Sequence, residues 1–431
     1  MSERLSVLYV SQVPPSPPRF GAQVRMHGLL SSLAERHDVS IVCCAEPDQA
    51  EEARAALRPR CRDVEIVVES ASTSTLKKRL LQLRSLASPR SFERGLFSLP
   101  EVRRRVEALL ARRRFDVVNA EGPFVAHDAF RAAARASPPP RLVLDEHNVE
   151  YDLHRQIAHG AGGLARRLYD AVNWRKMARE EHALWTRADA VAVTSAQDEA
   201  RVRAVRPGAR VAVVPNGVDV ERYRQRAGDP PVEPGTLLFF GALDYFPNSD
   251  GILRFLDETW PLVRATHPGT RLRVAGRRPP PALLARRGPG VEVLGFVDDL
   301  APVIASAAMV IVPLRMGGGT RLKILEAMAM GRPVVSTPLG AEGIEAADGK
   351  ELLLAADPGR FAAAVRRVLD DAALAERLGR AARDLVVRRY SWETSARVFE
   401  RCLLEVCGSA RGRAPRYRGG RTRVTSTTVI E

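Results

Sequence analysis

The feature that most limits what this chain can fold into is an alternation that runs twice. Short runs rich in β-branched and apolar residues alternate with helical patterns. In the first half strands are expected at 5–10, 39–44, 64–68, 117–120, 142–146, 190–194 and 211–215. Several are apolar on both faces, as strands of a covered parallel sheet are. The stretch AGDPPVEPG (227–235) interrupts the series with proline and glycine. A second series follows at 237–240, 272–275, 291–294, 309–313, 333–336 and 351–354. Strands separated by helices imply a parallel sheet, and 431 residues are too many for one ordinary core. The fold class expected is therefore α/β, with two doubly wound Rossmann-like domains facing across a cleft. Ligands of such sheets bind beyond the carboxyl ends of the strands. We expect an N-terminal domain over 1–218, a linker over 219–235 and a C-terminal domain over 236–390. A terminal helix over 391–407 and a disordered basic tail over 408–431 complete the division.

Charge and cysteine narrow the function. The formal charge of +15 raises nucleic acid or an anionic membrane as partners. Nearly all the cations are scattered arginines, and no recognition helix, zinc-finger spacing or aromatic RNA-binding signature accompanies them, so nucleic acid is not expected. The segment 77–114 holds 12 Lys or Arg against 3 Glu, with leucines interleaved. Two readings stand side by side: peripheral contact with an anionic leaflet, or surface helices with a charged outer face. Five cysteines, an odd number, point to buried free thiols rather than disulfides or a metal site. With no signal peptide and no apolar run of membrane-spanning length, a cytoplasmic location is expected, at most peripheral on the inner face of the membrane.

The chemistry concentrates in GGGTRLKILEAMAMGRPVV (317–335). Gly317, Gly318 and Gly319 let the backbone approach a ligand, and the following helix start offers free N–H groups. Thr320 is a natural N-cap. Arg321 and Lys323 add cationic charge, and lysine occurs only five times in the chain. Together they describe a phosphate or diphosphate site. Glu326 stands three residues after Lys323. It is either half of a surface Lys–Glu pair or a carboxylate accepting from a ribose diol. The apolar residues around it place it at the edge of a buried face, where a charge needs a partner. Other nucleotide and metal motifs are missing: no GxGxxG follows the first strand, no Walker A or Asp-x-Asp occurs, and no zincin helix is present.

The stretch 317–335 resembles the C-terminal signature of family 4 retaining glycosyltransferases, which have the GT-B fold. The likeness extends to VPNGVD (214–219), FFGALDYFPNSDGI (239–252), RLRVAG (271–276), VEVLGFVDDL (291–300) and SWETSA (391–396). The resemblance implies a nucleotide-sugar donor held mainly by the C-terminal domain, with no metal or other cofactor. Glu326 matches the family's ribose-binding Glu. Gly317, Gly318, Gly319, Gly241 and Gly340 would lie near the diphosphate or the sugar, and 291–296 would flank the base. Gly21 matches the first-strand loop near donor phosphate and acceptor. His147, in LDEHNVEYD, matches the active-site His that contacts the donor sugar.

The sequence also departs from the family pattern. Gly318 stands where the first Glu of the family's Glu-x7-Glu should be, Ala242 follows Gly241 in place of an Arg, and the usual downstream Lys is missing from PNSDG (247–251). Arg321 and Lys323 are expected to supply the diphosphate charge instead. The activity implied is retaining transfer of a sugar from a nucleotide-diphosphate sugar to a hydroxyl of a glycan or lipid-linked acceptor, in polysaccharide or glycoconjugate biosynthesis. A sugar-nucleotide epimerase and a non-catalytic binding protein of the same fold are the alternatives.

Overall fold

The structure, a computed structural model, describes residues 4–69, 75–158 and 163–408. The expectation of a basic tail over 408–431 falls, after Gly408, outside the described residues. The N-terminal sheet comprises β1 (Ser6–Ser11), β2 (Asp38–Ala45), β3 (Val64–Val68), β4 (Val117–Glu121), β5 (Arg141–Glu146), β6 (Ala190–Val193) and β7 (Val211–Val213). Its order is β3-β2-β1-β4-β5-β6-β7 and every pairing is parallel. The C-terminal sheet comprises β8 (Glu233–Phe240), β9 (Arg271–Ala275), β10 (Val291–Gly295), β11 (Ala307–Val312), β12 (Val334–Ser336) and β13 (Leu353–Leu354). It is ordered β10-β9-β8-β11-β12-β13, again parallel throughout. In both sheets the order reverses beside the first strand, between β1 and β4 and between β8 and β11. That reversal opens a crevice at the strands' carboxyl ends.

Burial explains why these runs are strands. Along β1 the side chains alternate between two cores: Val7 and Tyr9 join one cluster with Ile41, Val117 and Val143, while Leu8 and Val10 join another with Val42, Ala120 and Leu144. Both faces are covered, which is why the sequence shows apolar runs rather than alternation. The first of these cores is closed by the helix Trp392–Gly408, whose Phe399, Cys402, Leu403 and Val406 are buried in it. Each such side chain contributes about 1.5–3 kcal/mol when removed from water. The last helix thus returns to the N-terminal sheet and packs beside the helix Gly21–Ala34. A Cβ at Gly217 would lie 2.8 Å from the Trp392 ring, so the chain crosses between domains in close contact.

Three details differ from expectation. β8 begins at Glu233 rather than 237, because Arg273 and Arg271 pair with Glu233 and hold the polar start of the strand to β9. Val218, expected to end the N-terminal domain, and Tyr223, expected in the linker, are buried in the C-terminal core. The basic stretch forms helices Thr75–Ala87, Phe92–Phe97 and Pro100–Arg112, the first exposing Leu80, Leu83 and Leu86. No disulfide joins the cysteines; burial pushes the thiols of Cys44 and Cys61 up to about 12 and that of Cys402 to about 11.

Candidate functional site

On the C-terminal side, β11 runs into a glycine loop and then the helix Leu322–Ala329. The residue at the N-cap is Arg321, not Thr320, and no side chain caps the helix. Thr320 is drawn away because its hydroxyl donates across the cleft to the Thr194 carbonyl at 3.0 Å. Arg321 folds back and donates to the carbonyls of Gly318 and Gly319. Its buried Nη2 has no hydrogen-bond partner among the described residues.

Lys323 points to the end of β8. Its Nζ donates to Asn248 Oδ1 at 2.7 Å and lies 4.4 Å from the centre of the Phe239 ring. Gly241 makes room for it, since a Cβ there would stand 2.9 Å from Nζ, on a backbone at φ 146°. Burial, aided by the charge of Arg321, lowers the Lys323 ammonium to about 7. The Lys323–Glu326 surface pair does not form. Glu326 instead accepts from the Tyr223 hydroxyl at 3.2 Å. Burial raises its carboxyl, opposed by that bond and by the charges of Arg222 and Lys323. Gly340 lies in the turn after β12, its N–H donating to Thr337 Oγ1 at 2.9 Å. A Cβ there would meet Ser336 Oγ and the Val312 carbonyl.

On the N-terminal side, the ends of β4 and β5 bring Glu121, Asp145 and His147 together. His147 Nε2 and Glu121 Oε2 are 2.8 Å apart, and Asn119 donates to Glu121 Oε1 at 2.6 Å. Arg25, in the helix Gly21–Ala34, meets both Asp145 oxygens at 2.6 and 3.1 Å. This ion pair is almost wholly buried, at 1% and 0% exposure. Arg25 also donates to the Val214 carbonyl and to Asn216 Oδ1. The three groups Glu121, Asp145 and His147 are close enough to hold a cation. Each of the four carboxylate oxygens, however, already has a partner: Arg25 on Asp145, Asn119 and His147 on Glu121.

The two sides meet through the glycine loop. A Cβ at Gly319, where φ is 67°, would lie 2.5 Å from the His147 carbonyl and 2.9 Å from Thr194 Oγ1. Gln156 accepts from the Gly317 N–H at 3.0 Å, and the Asn148 amide, turned to donate, reaches the Gly318 carbonyl at 2.8 Å. Asn216 donates to the Thr320 carbonyl at 2.8 Å. Gly21 is the first residue of its helix, and a Cβ there would touch Leu322 at 3.4 Å. His147, Gly21 and the loop 317–320 therefore converge at the facing strand ends, with Gly241 and Lys323 beside them. Arg321 faces the loop rather than open space, and Glu326 and Gly340 lie further along.

Sequence reasoning missed Glu121, Arg25, Asn248 and Tyr223. A signal existed for the first two: a carboxylate ending an otherwise apolar strand, and an arginine among the apolar positions of the first helix, both of which need partners when buried. Asn248 and Tyr223 left no signal.

Comparison with known proteins agrees with this geometry. Residues 21–222 match the model of Glycosyltransferase Family 4, and residues 234–371 match that of Glycosyl transferases group 1. A glycogen synthase of Mycobacterium tuberculosis is 30% identical over 312 residues, covering 70% of this chain and 71% of that protein. A phosphatidyl-myo-inositol mannosyltransferase of the same species is 31% identical over 47% of this chain and 56% of its own. Among solved structures, sucrose-phosphate synthase from Thermosynechococcus elongatus superposes with a TM-score of 0.70 at 18% identity, over 94% of this chain and 100% of that one. Anabaena HepE in complex with UDP gives 0.65 at 16%, over 93% and 100%. Two parallel sheets with facing strand ends, a glycine loop closing on a strand-end histidine, and matches on both halves have one explanation: the chain is a glycosyltransferase of this family, with the GT-B fold.

Proposed function

We propose that the chain transfers a sugar, with retention and without a metal, from a nucleotide-diphosphate sugar to a hydroxyl of a glycan or lipid-linked acceptor. One observation carries the donor reading. Lys323 is a buried cation whose direct contacts among the described residues are neutral, an amide oxygen and an aromatic face, with the Glu326 carboxylate acting on it only through space. A buried charge left this way costs free energy that an arriving anion offsets. The donor diphosphate is that anion, with Gly241 leaving space beside it. Glu326, one helical turn further on, takes the ribose, and the residues about Phe296, 63% exposed, flank the base.

In the transition state the leaving diphosphate gains negative charge while the sugar becomes oxocarbenium-like. Lys323 and the N–H groups at the start of the helix Leu322–Ala329 stabilise that charge. Arg321 keeps the loop carbonyls turned away from it. His147, oriented by Glu121, contacts the sugar, and the leaving phosphate oxygen takes the acceptor proton. HepE has been solved with UDP-glucose, and TarM from S. aureus with UDP and an α-GlcNAc-glycerol, which supports a uridine donor and a glycan acceptor for this fold. Thermal shift with UDP-, GDP-, ADP- and CMP-sugars tests the reading. Stabilisation by one nucleotide series, lost in Lys323→Met, is expected. Equal shifts in both proteins would overturn it. Conversion of donor alone, without acceptor, would indicate epimerisation instead.

We infer further that the acceptor is met at a membrane surface. Leu80, Leu83 and Leu86, with Leu168 and Val172 of the adjacent helix Leu164–Arg187, are 44–65% exposed, and Arg79, Arg84, Arg167 and Arg175 stand within a few residues of them in the sequence. Exposed apolar side chains interspersed with arginine suit an anionic leaflet. Among the described residues no helix is long and apolar enough to cross a membrane. Co-sedimentation with phosphatidylglycerol vesicles, lost in Leu83→Glu/Leu86→Glu, is the expected result; binding equal to that of neutral vesicles would remove this part.

A further inference from the structure

Tyr223 belongs to the segment that joins the domains, yet it is fixed to the C-terminal one. Val218 N–H donates to the Tyr390 carbonyl at 2.7 Å, Arg332 donates to Gln225 Oε1 at 2.8 Å, and Arg383 reaches the Tyr223 carbonyl at 3.3 Å. The Tyr223 ring is 7% exposed. Arg222 lies 5.6 Å over it and pairs with Asp299 at 3.3 Å, so the ring is held between the C-terminal core and a cation. Its hydroxyl ends on Glu326 Oε1 at 3.2 Å. A carboxylate offers about four lone-pair sites. One bond from a rigid phenol leaves enough for a ribose diol while removing the carboxylate's freedom to turn.

We propose that Tyr223 is a positioning residue for the donor: its phenol holds the Glu326 carboxylate in the orientation that receives both ribose hydroxyls. This rests on the reading of Glu326 as the ribose ligand. Tyr223 then acts on ribose recognition without touching the nucleotide. The partner comes from the joining segment, 103 residues away in sequence, so the ribose contact is built when that segment seats on the C-terminal domain. The bond also opposes the effect of burial on Glu326, whose carboxyl burial raises. Removing the phenol moves the acid limb of donor binding to higher pH, because the carboxylate must be ionised to accept two bonds.

The test is calorimetric titration of the full chain with UDP, GDP and ADP and with their 2′-deoxy counterparts, following the base that binds best. Preference for ribose over deoxyribose is the readout, since a purely structural role would change both affinities alike. Tyr223→Phe keeps the ring and its packing. It is expected to weaken the ribonucleotide about fivefold, in line with the net worth of one hydrogen bond. The deoxynucleotide should stay within about twofold, KM for donor should rise, and kcat should hold. Tyr223→Leu removes the ring as well and should show the same reduced preference. Glu326→Gln separates the two ideas. If Glu326→Gln loses the preference and Tyr223→Phe keeps it in full, the positioning role is overturned and the ribose reading stands. If Glu326→Gln keeps the preference, the ribose reading fails and the positioning role with it. A loss in Tyr223→Leu alone would also overturn the proposal, since it would assign the effect to packing.

Discussion

The two walls of the cleft treat buried charge in opposite ways. On the N-terminal wall, Arg25 neutralises Asp145, and His147 and Asn119 occupy Glu121, so that every oxygen of these two carboxylates has a partner. On the C-terminal wall, Lys323 is buried against an amide and a phenyl ring and forms no ion pair among the described residues; Glu326 acts on it only through space, and burial still lowers its ammonium. A compensated cluster maintains a shape, which suits the wall that orients His147. An uncompensated cation stores binding free energy for an anion. Asp145 lies near the end of β5 and Lys323 follows a glycine loop; the difference lies in what each is paired with before any ligand arrives.

The largest expected effect comes from breaking the compensated wall. Asp145→Ala leaves Arg25 buried without its counter-ion and should cost about 3–5 kcal/mol of stability. Urea denaturation measures it, and the double variant Arg25→Met/Asp145→Leu should recover much of the loss. Lys323→Met should do the reverse, leaving the midpoint unchanged or raised because a lone buried charge is removed. Its donor affinity should fall about 30- to 150-fold, the scale of a charge-assisted bond of about 2–3 kcal/mol. If Asp145→Ala were neutral and Lys323→Met destabilising, the contrast between the walls would be reversed.

Legibility in the sequence divides along the same line. The sheets could be read because apolar strands and punctuating glycines are local signals, and each expected strand overlaps an observed one. Lys323, Glu326 and His147 could be singled out because each is a charged or titratable residue at a strand end or beside a glycine loop. Their partners could not. Asn248 lies 75 residues from Lys323, Tyr223 lies 103 from Glu326, and Arg25 lies 120 from Asp145. Such pairings depend on which strand ends the topology brings together, and a local pattern carries none of that. Thr320 shows the converse: its local signal for an N-cap was sound, and a carbonyl of the other domain outcompeted the helix for its hydroxyl.

The junction between the walls offers a smaller effect. Gly319→Ala places a methyl on a left-handed backbone and against the His147 carbonyl. The cost of about 1–2 kcal/mol for the backbone alone falls on the closed arrangement, so turnover should drop by about 5- to 30-fold. Donor affinity, set mainly within the C-terminal wall, should move much less. Steady-state kinetics beside calorimetry separates the two. Equal losses in both would mean that the glycine loop, not the walls, holds the donor.

The smallest expected effect is also the most direct probe of the uncompensated cation. Burial and Arg321 lower Lys323 to about 7, so the free protein loses that charge as pH rises through neutrality. A bound diphosphate favours the charged form and raises the value, so donor binding takes up a proton above pH 7. Affinity for the nucleotide-sugar should therefore decline as pH rises, by about tenfold between pH 6 and 8. The donor itself contributes no slope, because both of its phosphates are esterified and neither titrates there. Glu326, with its raised carboxyl, limits binding only on the acid side. Two controls isolate the lysine. Lys323→Met should bind weakly with a flat profile, and Lys323→Arg, whose guanidinium stays charged throughout, should be flat as well. A slope that survives in both would assign the titration to another group, and the C-terminal wall would then hold a permanently charged cation rather than one poised to take up its proton from the donor's arrival.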